Sequence, residues 1–438
     1  MKRLIRRAAA ALLAGVLLLS GCANGSTPAE TAAAKAEGFV PQLDTEAAVQ
    51  LEVLGYFGNF EALDQVMNDF NQYYPKLTFN YQQVGGSTEE EYMDANPGVD
   101  IIMTSSEFLH SDESTLASRC VDLTAAGVDC SDLDEEMLKD AQVDGKQLAI
   151  PIGQNIYGLA VNLSLLEKEG LSIPKNRDEF LTTLAALKEK GYTPIQGPRS
   201  KVYAELTSGI VYSGLCEGQP LRKALEDGDT AAAQAELMPA IDLVDSLLSQ
   251  GYTDPAINKQ YPEDNYDQAI LRFFEGDVPF WVCNTEKISG MKKRESKSEA
   301  FQKDPFDYTF IYPPLGEEGQ YLYREPWFGM AANVKATHPD YAVEFLRFLA
   351  TRDESNKMAD IKGIPSIAKE STDPAVYTNV LAEDQLKNSL VNHGEVTPAM
   401  ESGWYSCITG YADSEYATAQ DAMEAMQTYL DLCMAELS

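Results

Sequence analysis

From residue 49 onward, apolar and polar residues follow one another with two different periods. They alternate over residues 49–53, which predicts a strand with one buried face. Apolar residues then recur every three or four positions from 63 to 74, which predicts an amphipathic helix that ends before Pro75. Alternation returns over residues 77–81. A strand, a helix and a strand in this order predict a β-α-β unit with a parallel sheet and a crossover helix.

The same two periods recur along the rest of the chain. One helix is predicted between Asn176 and Gly191, because Asn176 with Glu179 is typical of a helix start and glycine of a helix end. Since strands and helices alternate, the fold class is predicted to be α/β. The remaining predicted strands are 100–103, 147–152, 157–161, 278–283 and 306–312, and the remaining helices are 241–248, 269–274, 341–349 and 422–433.

The N-terminal segment has the pattern of a secretory signal. Four basic residues within positions 2–7 precede a small and apolar run over 8–19, which is shorter than the ~20 apolar residues of a membrane-spanning helix. The run ends in Ser20, Gly21 and Cys22, which resembles the lipobox of bacterial lipoproteins. The resemblance implies a signal peptide over 1–21, a lipid on the Cys22 thiol, and a location outside the cytoplasm, anchored to the cell membrane. The alternative is an ordinary signal with a chance cysteine.

Residues 22–48 lack periodicity and are rich in Ala, Thr, Glu and Gly, so we interpret them as a lipidated tether, with the folded part beginning at Val49. The 438 residues suffice for two or three domains of about 150 residues. The net charge of −34 argues against nucleic acid as a partner, because such a surface repels phosphates. Solubility is a sufficient reason for that charge.

The cysteines and histidines do not have the spacing of a metal site. Cys120 and Cys130 are close enough in sequence to close a small disulfide loop, whereas Cys283 and Cys433 lie in apolar patterns that predict buried thiols. Three histidines lie far apart, so no zinc site or cofactor is predicted. Nucleophile, zinc-protease and phosphate-loop motifs are absent from the sequence, and acidic residues are too abundant for a carboxylate pair to indicate a glycosidase. We therefore expect a protein that is not an enzyme.

Several segments resemble, in order, the extracellular solute-binding proteins of ABC importers, of the sugar-binding type that includes maltose-binding protein. The resemblance covers nearly all of residues 49–438. It is strongest over 144–151, Asp-Gly-Lys-Gln-Leu-Ala-Ile-Pro, and over 157–162, Tyr-Gly-Leu-Ala-Val-Asn. Two positions depart from the pattern, since Thr104 stands where some sugar binders have an aromatic residue and Glu286 where others have Trp. Other matching segments are 97–102, 121–124, 274–280, 339–349, 363–365 and the pair Trp404 and Tyr405.

The resemblance implies the two-lobe periplasmic-binding-protein fold of type II. The first lobe is expected at 49–153 plus 313–351 and the second at 154–312 plus 352–438. Hinge crossings are expected at 154–158 and 311–313, because a few residues at the ends of elements can absorb a large rotation while each lobe stays rigid. The ligand would then lie between the lobes, where loops converge at the strand ends.

A sugar site needs carboxylates and amides for its hydroxyl groups and aromatic rings for its apolar face. The family pattern points to residues of these kinds, each of which could instead be an ordinary packing or loop residue. Trp281 lies in mid-strand and is interpreted as core. The candidate ligand-binding residues are Asn59, Glu107, Asn155, Tyr157, Tyr203, Glu205, Asn284, Thr285, Glu286, Trp327 and Trp404.

The sequence thus predicts a lipid-anchored protein that captures a mono- or oligosaccharide and delivers it to an ABC permease. Its partners would be the small ligand, the permease subunits and, through the lipid, the membrane. Two alternatives stay open. One is a binding protein for a non-sugar solute, and the other is a surface carbohydrate-binding lipoprotein without a permease.

Overall fold

The computed structural model describes residues 38–58, 60–84, 89–105, 109, 115–199, 201–261, 266–316, 321–371 and 390–437. The predicted signal, Cys22 and the tether up to residue 37 lie outside this part. No helix within the described residues is long and apolar enough to span a membrane.

The predicted alternation of strands and helices is confirmed. The strands are Gln50–Gly55, Thr78–Gln83, Ile101–Thr104, Gln142–Val143, Lys146–Gln147, Ile150–Pro151, Gln154–Asn162, Ile195–Gln196, Phe280–Asn284, Tyr308–Ile311, Leu322–Pro326, Gly329–Ala332 and Leu390–Asn392. The helices are Glu61–Phe70, Glu89–Ala95, Leu116–Arg119, Glu135–Lys139, Leu163–Lys168, Arg177–Glu189, Lys201–Ser213, Pro220–Glu226, Thr230–Ser249, Pro255–Asn258, Tyr266–Phe273, Thr285–Glu295, Glu299–Lys303, Pro339–Leu349, Arg352–Lys362, Pro398–Ala412 and Ala419–Glu436, with a 3₁₀ turn at His393–Glu395.

The first sheet contains the predicted β-α-β unit. Gln50–Gly55 pairs in parallel with Thr78–Gln83 and with Ile101–Thr104, and Gly329–Ala332 and Ile150–Pro151 complete the sheet. Leu63, Val66 and Phe70 of the crossover helix are fully buried against this sheet, together with Tyr74 beyond the helix end.

The strand predicted over 147–152 is divided into two short strands. Lys146–Gln147 pairs with Gln142–Val143 across a turn in which Asp144 and Gly145 both have positive φ, 52° and 73°. This is the backbone that a two-residue hairpin requires, and it directs the pairing away from the main sheet. Ile150–Pro151 then joins the first sheet instead.

The second sheet is built around the long strand Gln154–Asn162. Phe280–Asn284 lies antiparallel on one side of it, and both Leu322–Pro326 and Tyr308–Ile311 pair with the other. Trp281 is 1% exposed and belongs to the core, as predicted. The predicted cap at Asn176 is confirmed, since its side chain accepts a hydrogen bond from the Glu179 N–H at 3.0 Å.

Three links carry the chain between the sheets, and the one from Gly329–Ala332 to Leu390–Asn392 lies partly outside the described residues. Gly153 separates Ile150–Pro151 from Gln154–Asn162, and its φ of 147° suits glycine. A Cβ there would lie 2.4 Å from Ile364 Cδ1. The second link is Trp327 and Phe328, between Leu322–Pro326 and Gly329–Ala332.

The expected lobe boundaries remain a prediction, and they differ from sheet membership in two places. Leu322–Pro326 belongs to the second sheet, so the chain changes sheets later than the expected crossing at 311–313. Met358 and Ala359 of Arg352–Lys362 pack in the core of the first sheet.

Ordered packing begins before the predicted start at Val49. The Phe39 ring is 6% exposed and contacts Tyr73 and Phe348 edge-on, with centroids 5.0 and 4.9 Å apart. One aromatic residue in an otherwise aperiodic segment is enough to hold it on the core, which periodicity cannot reveal.

The described cysteines are all free, so Cys120 and Cys130 do not form the small loop considered from their spacing. Cys283 and Cys433 are buried thiols, as predicted.

Candidate functional site

A cavity of about 420 Å³, counted with the open solvent at its mouth, lies beside the second sheet, and four tyrosines line it. We call it the tyrosine cavity. It is lined by Tyr157, Ala204, Glu205, Ser208, Tyr212, Tyr323, Glu401 and Tyr405.

Helical and strand periods bring these side chains together. Glu205, Ser208 and Tyr212 recur at helical spacing on Lys201–Ser213, so they share one face. Glu401 and Tyr405 are four residues apart on Pro398–Ala412 and likewise share a face. Each of the two helices therefore turns one face of polar and aromatic side chains toward the cavity, and the sheet does the same.

The sheet side of the cavity is held by stacked rings. Tyr157 and Tyr323 lie on the neighbouring strands Gln154–Asn162 and Leu322–Pro326, with ring centroids 5.3 Å apart and planes at 13°. Tyr212 meets Tyr323 edge-on at 4.9 Å. Tyr323 is 2% exposed, and its hydroxyl has no hydrogen-bond partner among the described residues. A ligand or a water in the cavity would supply that partner.

Glu325 joins the cavity wall to the sheet. Its Oε1 accepts hydrogen bonds from Asn155 Nδ2 and from the Tyr157 hydroxyl, each at 2.7 Å. Burial raises the pKa of Glu325, and repulsion from Glu401 raises it further. Burial also raises the pKa of Tyr157 well above its ordinary value, so its hydroxyl stays a donor.

His393 links Glu401, which lines the cavity, to Asp140, which lies on the side of the first sheet. Its Nδ1 lies 3.0 Å from Asp140 Oδ1 and its Nε2 lies 3.5 Å from Glu401 Oε2. Burial alone would lower the pKa of His393, but hydrogen bonds to Asp140 and Glu401 outweigh it and hold the pKa well above the usual range.

Asp140 directly follows the short helix Glu135–Lys139, and a second polar contact holds the start of that helix. Asp134 precedes Glu135–Lys139 and caps it, accepting from the Glu136 N–H at 2.9 Å. Its other oxygen, Oδ2, lies 2.7 Å from Arg324 Nη1 on the second sheet. Side chains of the second sheet's side thus hold both ends of this helix.

A different aromatic group lies at the second link between the sheets. Trp327 stacks on Phe57 with centroids 5.2 Å apart and planes at 19°, and Phe60 and Phe328 meet it edge-on. The Lys362 ammonium lies 4.4 Å from the Trp327 ring centroid. We call Phe57, Phe60, Trp327 and Phe328 the aromatic cluster.

The structure brings three of the predicted site residues together. Tyr157 and Glu205 line the tyrosine cavity, and Asn155 bonds to Glu325 beside it. Trp327 lies apart from them, in the aromatic cluster. Asn59 and Glu107 lie outside the described residues.

Tyr203 and Trp404 are packed in the core behind the cavity. Tyr203 is 1% exposed, and its hydroxyl accepts from Asn258 Nδ2 at 3.3 Å. Trp404 has no exposed surface, and its indole N–H donates to Thr207 Oγ1 at 3.0 Å. Their predicted role in ligand binding stays a prediction, and their visible contacts are those of packing residues.

Asn284, Thr285 and Glu286 begin the helix Thr285–Glu295. Asn284 caps it by accepting from the Lys287 N–H at 3.1 Å. The Thr285 hydroxyl is buried and bonds the backbone at Gln154 and Ile156, and Glu286 lies 3.6 Å from Lys287 Nζ. These contacts fix the start of the long strand.

Sequence reasoning did not find the remaining residues of the cavity wall, nor Glu325 and His393 beside it. Glu205 with Ser208 and Tyr212, and Glu401 with Tyr405, had a usable signal, since each set shares a helical face. No local signal indicates that these separate segments come together. The missed residues are Ser208, Tyr212, Tyr323, Glu325, His393, Glu401 and Tyr405.

Comparison with known proteins gives a family match and a set of similar folds. Residues 65–384 match the family model described as bacterial extracellular solute-binding protein. No curated protein matches the chain in sequence.

Three solved structures illustrate the similarity in fold. Apo RafE from Streptococcus pneumoniae is 16% identical, with 90% of this chain and 100% of that chain covered and a TM-score of 0.65. A sugar transporter from Bacillus licheniformis in complex with stachyose is 16% identical, covering 88% and 100%, with a TM-score of 0.64. The sugar-binding protein MalE from Xanthomonas citri is 16% identical, covering 88% and 98%, with a TM-score of 0.66. The predicted α/β fold of two-lobe periplasmic binding proteins is thereby confirmed.

Proposed function

Since the chain belongs to the bacterial extracellular solute-binding proteins, a family of binding proteins rather than enzymes, we propose that it captures a carbohydrate in the tyrosine cavity. The proposed ligand is a mono- or oligosaccharide.

The observation that carries this proposal is the composition of the cavity wall. Tyr157 and Tyr405 are half-buried in the wall and present ring surface that suits the apolar face of a sugar ring. The buried ring of Tyr323 packs against Tyr157, and that of Tyr212 packs against Tyr323. Glu205 and Glu401 offer carboxylates, and the buried Tyr323 hydroxyl offers a further donor or acceptor, which suit sugar hydroxyl groups. The solved structure with stachyose supports the same class of ligand, although that ligand belongs to that protein.

We further propose that the protein is held outside the cell membrane by a lipid on Cys22 and delivers its ligand to an ABC permease. The support is the Ser-Gly-Cys sequence after a short apolar run, together with the family's extracellular location. Release of a Cys22→Ser variant from the membrane fraction is the expected result, and retention of that variant in the membrane would contradict the lipid anchor.

A thermal-shift panel of sugars, polyols, amino acids and peptides tests the ligand class. A ligand that binds only the folded state adds about 4 kcal/mol to apparent stability at a thousandfold excess over Kd. We expect the shift with oligosaccharides such as stachyose. A shift with another class alone would replace the sugar by that class.

The site is tested with two tyrosine variants. Tyr405→Ala removes a half-buried ring from the cavity wall and should weaken binding of the identified ligand at least tenfold, since a stacked ring contributes about 1 kcal/mol beyond the area it buries. Tyr416→Ala removes a half-buried ring just beyond the same helix that does not line the cavity, and should leave Kd unchanged. Equal effects in isothermal titration calorimetry would place the ligand elsewhere.

A further inference from the structure

Glu325, His393 and Glu401 converge beside the tyrosine cavity. One ligating atom from each side chain lies within 4.8 Å of those of the other two. They come from a strand, a 3₁₀ turn and a helix that are distant in sequence: Leu322–Pro326, His393–Glu395 and Pro398–Ala412. From these three side chains, we propose a binding site for a divalent transition-metal cation, of which Zn²⁺ and Mn²⁺ are the candidates.

The side chains around the three proposed ligands are arranged as they are around metal ligands in proteins. A metal-bound histidine usually gives its other ring N–H to a carboxylate, and a bound carboxylate is itself hydrogen-bonded. Asp140 holds His393 Nδ1 at 3.0 Å, which leaves Nε2 on the side of Glu401. Asn155 and Tyr157 both bond Glu325 at Oε1, which leaves Oε2 for a cation. Both ligands are therefore oriented before a metal arrives.

The balance of charge favours a cation in this place. Asp140, Glu325 and Glu401 place three carboxyl groups around a single imidazole. A divalent cation between them would offset two units of this negative charge and would bind the imidazole at Nε2.

A separate observation points to a ligand at the same wall. The Tyr323 hydroxyl is buried beside Glu401 in the lining of the cavity and has no partner among the described residues. A water bound to the metal would satisfy it. Two carboxylates and one imidazole leave such a water position open, as three-ligand zinc sites do.

The type of cation follows from the ligands and the spacing. The imidazole favours Zn²⁺ over Ca²⁺ and Mg²⁺, which prefer oxygen ligands alone, and the two carboxylates also suit Mn²⁺. Bonds of about 2.0–2.2 Å put tetrahedral ligand atoms roughly 3.4 Å apart, so atoms that lie up to 4.8 Å apart must approach one another by at most about 1.4 Å. The Glu401 side chain, which is 40% exposed, has room to rotate toward the other two.

Isothermal titration calorimetry of the chelator-treated protein with ZnCl₂, MnCl₂ and CaCl₂ tests the proposal. We expect one Zn²⁺ or Mn²⁺ per chain, a raised melting temperature, and no comparable binding of Ca²⁺. Glu401→Gln and His393→Gln should each weaken binding at least tenfold. Asp140→Asn, which acts through His393, should weaken it about 10–100-fold.

The matched control is Glu424→Gln, the same change on an exposed side chain of the neighbouring helix Ala419–Glu436. It should bind the metal as the unchanged protein does. Absence of binding, or binding that Glu401→Gln and His393→Gln leave intact, would overturn the proposal and identify the cluster as an ion-pair network. Circular dichroism establishes that each variant is folded, and Glu401→Gln, at a half-buried position, keeps the test valid if His393→Gln does not fold.

Discussion

The tyrosine cavity and the aromatic cluster are both built from aromatic residues, but they differ in what surrounds the rings. In the aromatic cluster, Phe57 and Trp327 stack face to face and Phe60 and Phe328 close the edges. In the tyrosine cavity, the rings line an open volume of about 420 Å³. One region is filled by its own side chains, and the other has room for a ligand.

The hydroxyl groups account for much of this difference. Phenylalanine has no polar atom, so its rings can pack directly on one another. A buried tyrosine hydroxyl needs a partner, and in Tyr157 that partner is Glu325. Tyrosines therefore come with carboxylates and with space for polar groups, which is why the cavity is a better candidate site than the cluster.

The largest expected effect concerns the packing behind the cavity. Trp404 is fully buried, and its N–H links Pro398–Ala412 to Thr207 on Lys201–Ser213, the two helices that form the cavity wall. Trp404→Ala should lower the free energy of unfolding by about 3–5 kcal/mol, as is usual for a buried aromatic residue. Urea unfolding followed by circular dichroism measures it. A loss below about 1 kcal/mol would mean that Trp404 does not hold these helices together.

A smaller effect is expected within the aromatic cluster. A double-mutant cycle of Phe57→Ala and Trp327→Ala should give a coupling of about 0.5–1.5 kcal/mol, because the two rings stack directly. Urea unfolding of the single and double variants measures this coupling. Purely additive effects would show that the stack contributes nothing beyond the burial of each ring.

The smallest effect concerns the charge above the cluster. Burial lowers the pKa of Lys362 below its ordinary 10.5. Between the two values the unfolded chain binds more protons than the folded one, so this lysine makes the free energy of unfolding rise with pH through that interval. Lys362→Met should reduce this rise. The urea midpoint of the variant should then change less between neutral pH and a pH near 10.5 than that of the unchanged protein. An unchanged difference would mean that the ammonium is solvated despite its position over Trp327.

Periodicity predicted much of the secondary structure, because burial on one face of an element leaves a local trace in the sequence. The helix between Asn176 and Gly191 is such a case, since its cap and its glycine end lie within the segment itself. The split of 147–152 into two strands was not predicted, because the turn geometry at Asp144 and Gly145 decides which strand pairs with which.

The candidate site was predicted only in part. Tyr157 and Glu205 were found through the family resemblance, and both line the cavity. Glu325, His393 and Glu401 were not, because a chain with 68 acidic residues offers too many carboxylates for any one to be informative. Their convergence depends on how a strand, a turn and a helix pack, and no local pattern contains that information.

The sequence by itself determined the α/β class, the family and the N-terminal signal pattern, since each rests on residues that are neighbours along the chain. Only the tertiary structure decided which aromatic residues surround a cavity and which fill a core. Tyr157 lines the cavity, whereas the indole of Trp404 is enclosed between two helices. Long-range packing sets the exposure of each ring, and the chemical type of a side chain does not.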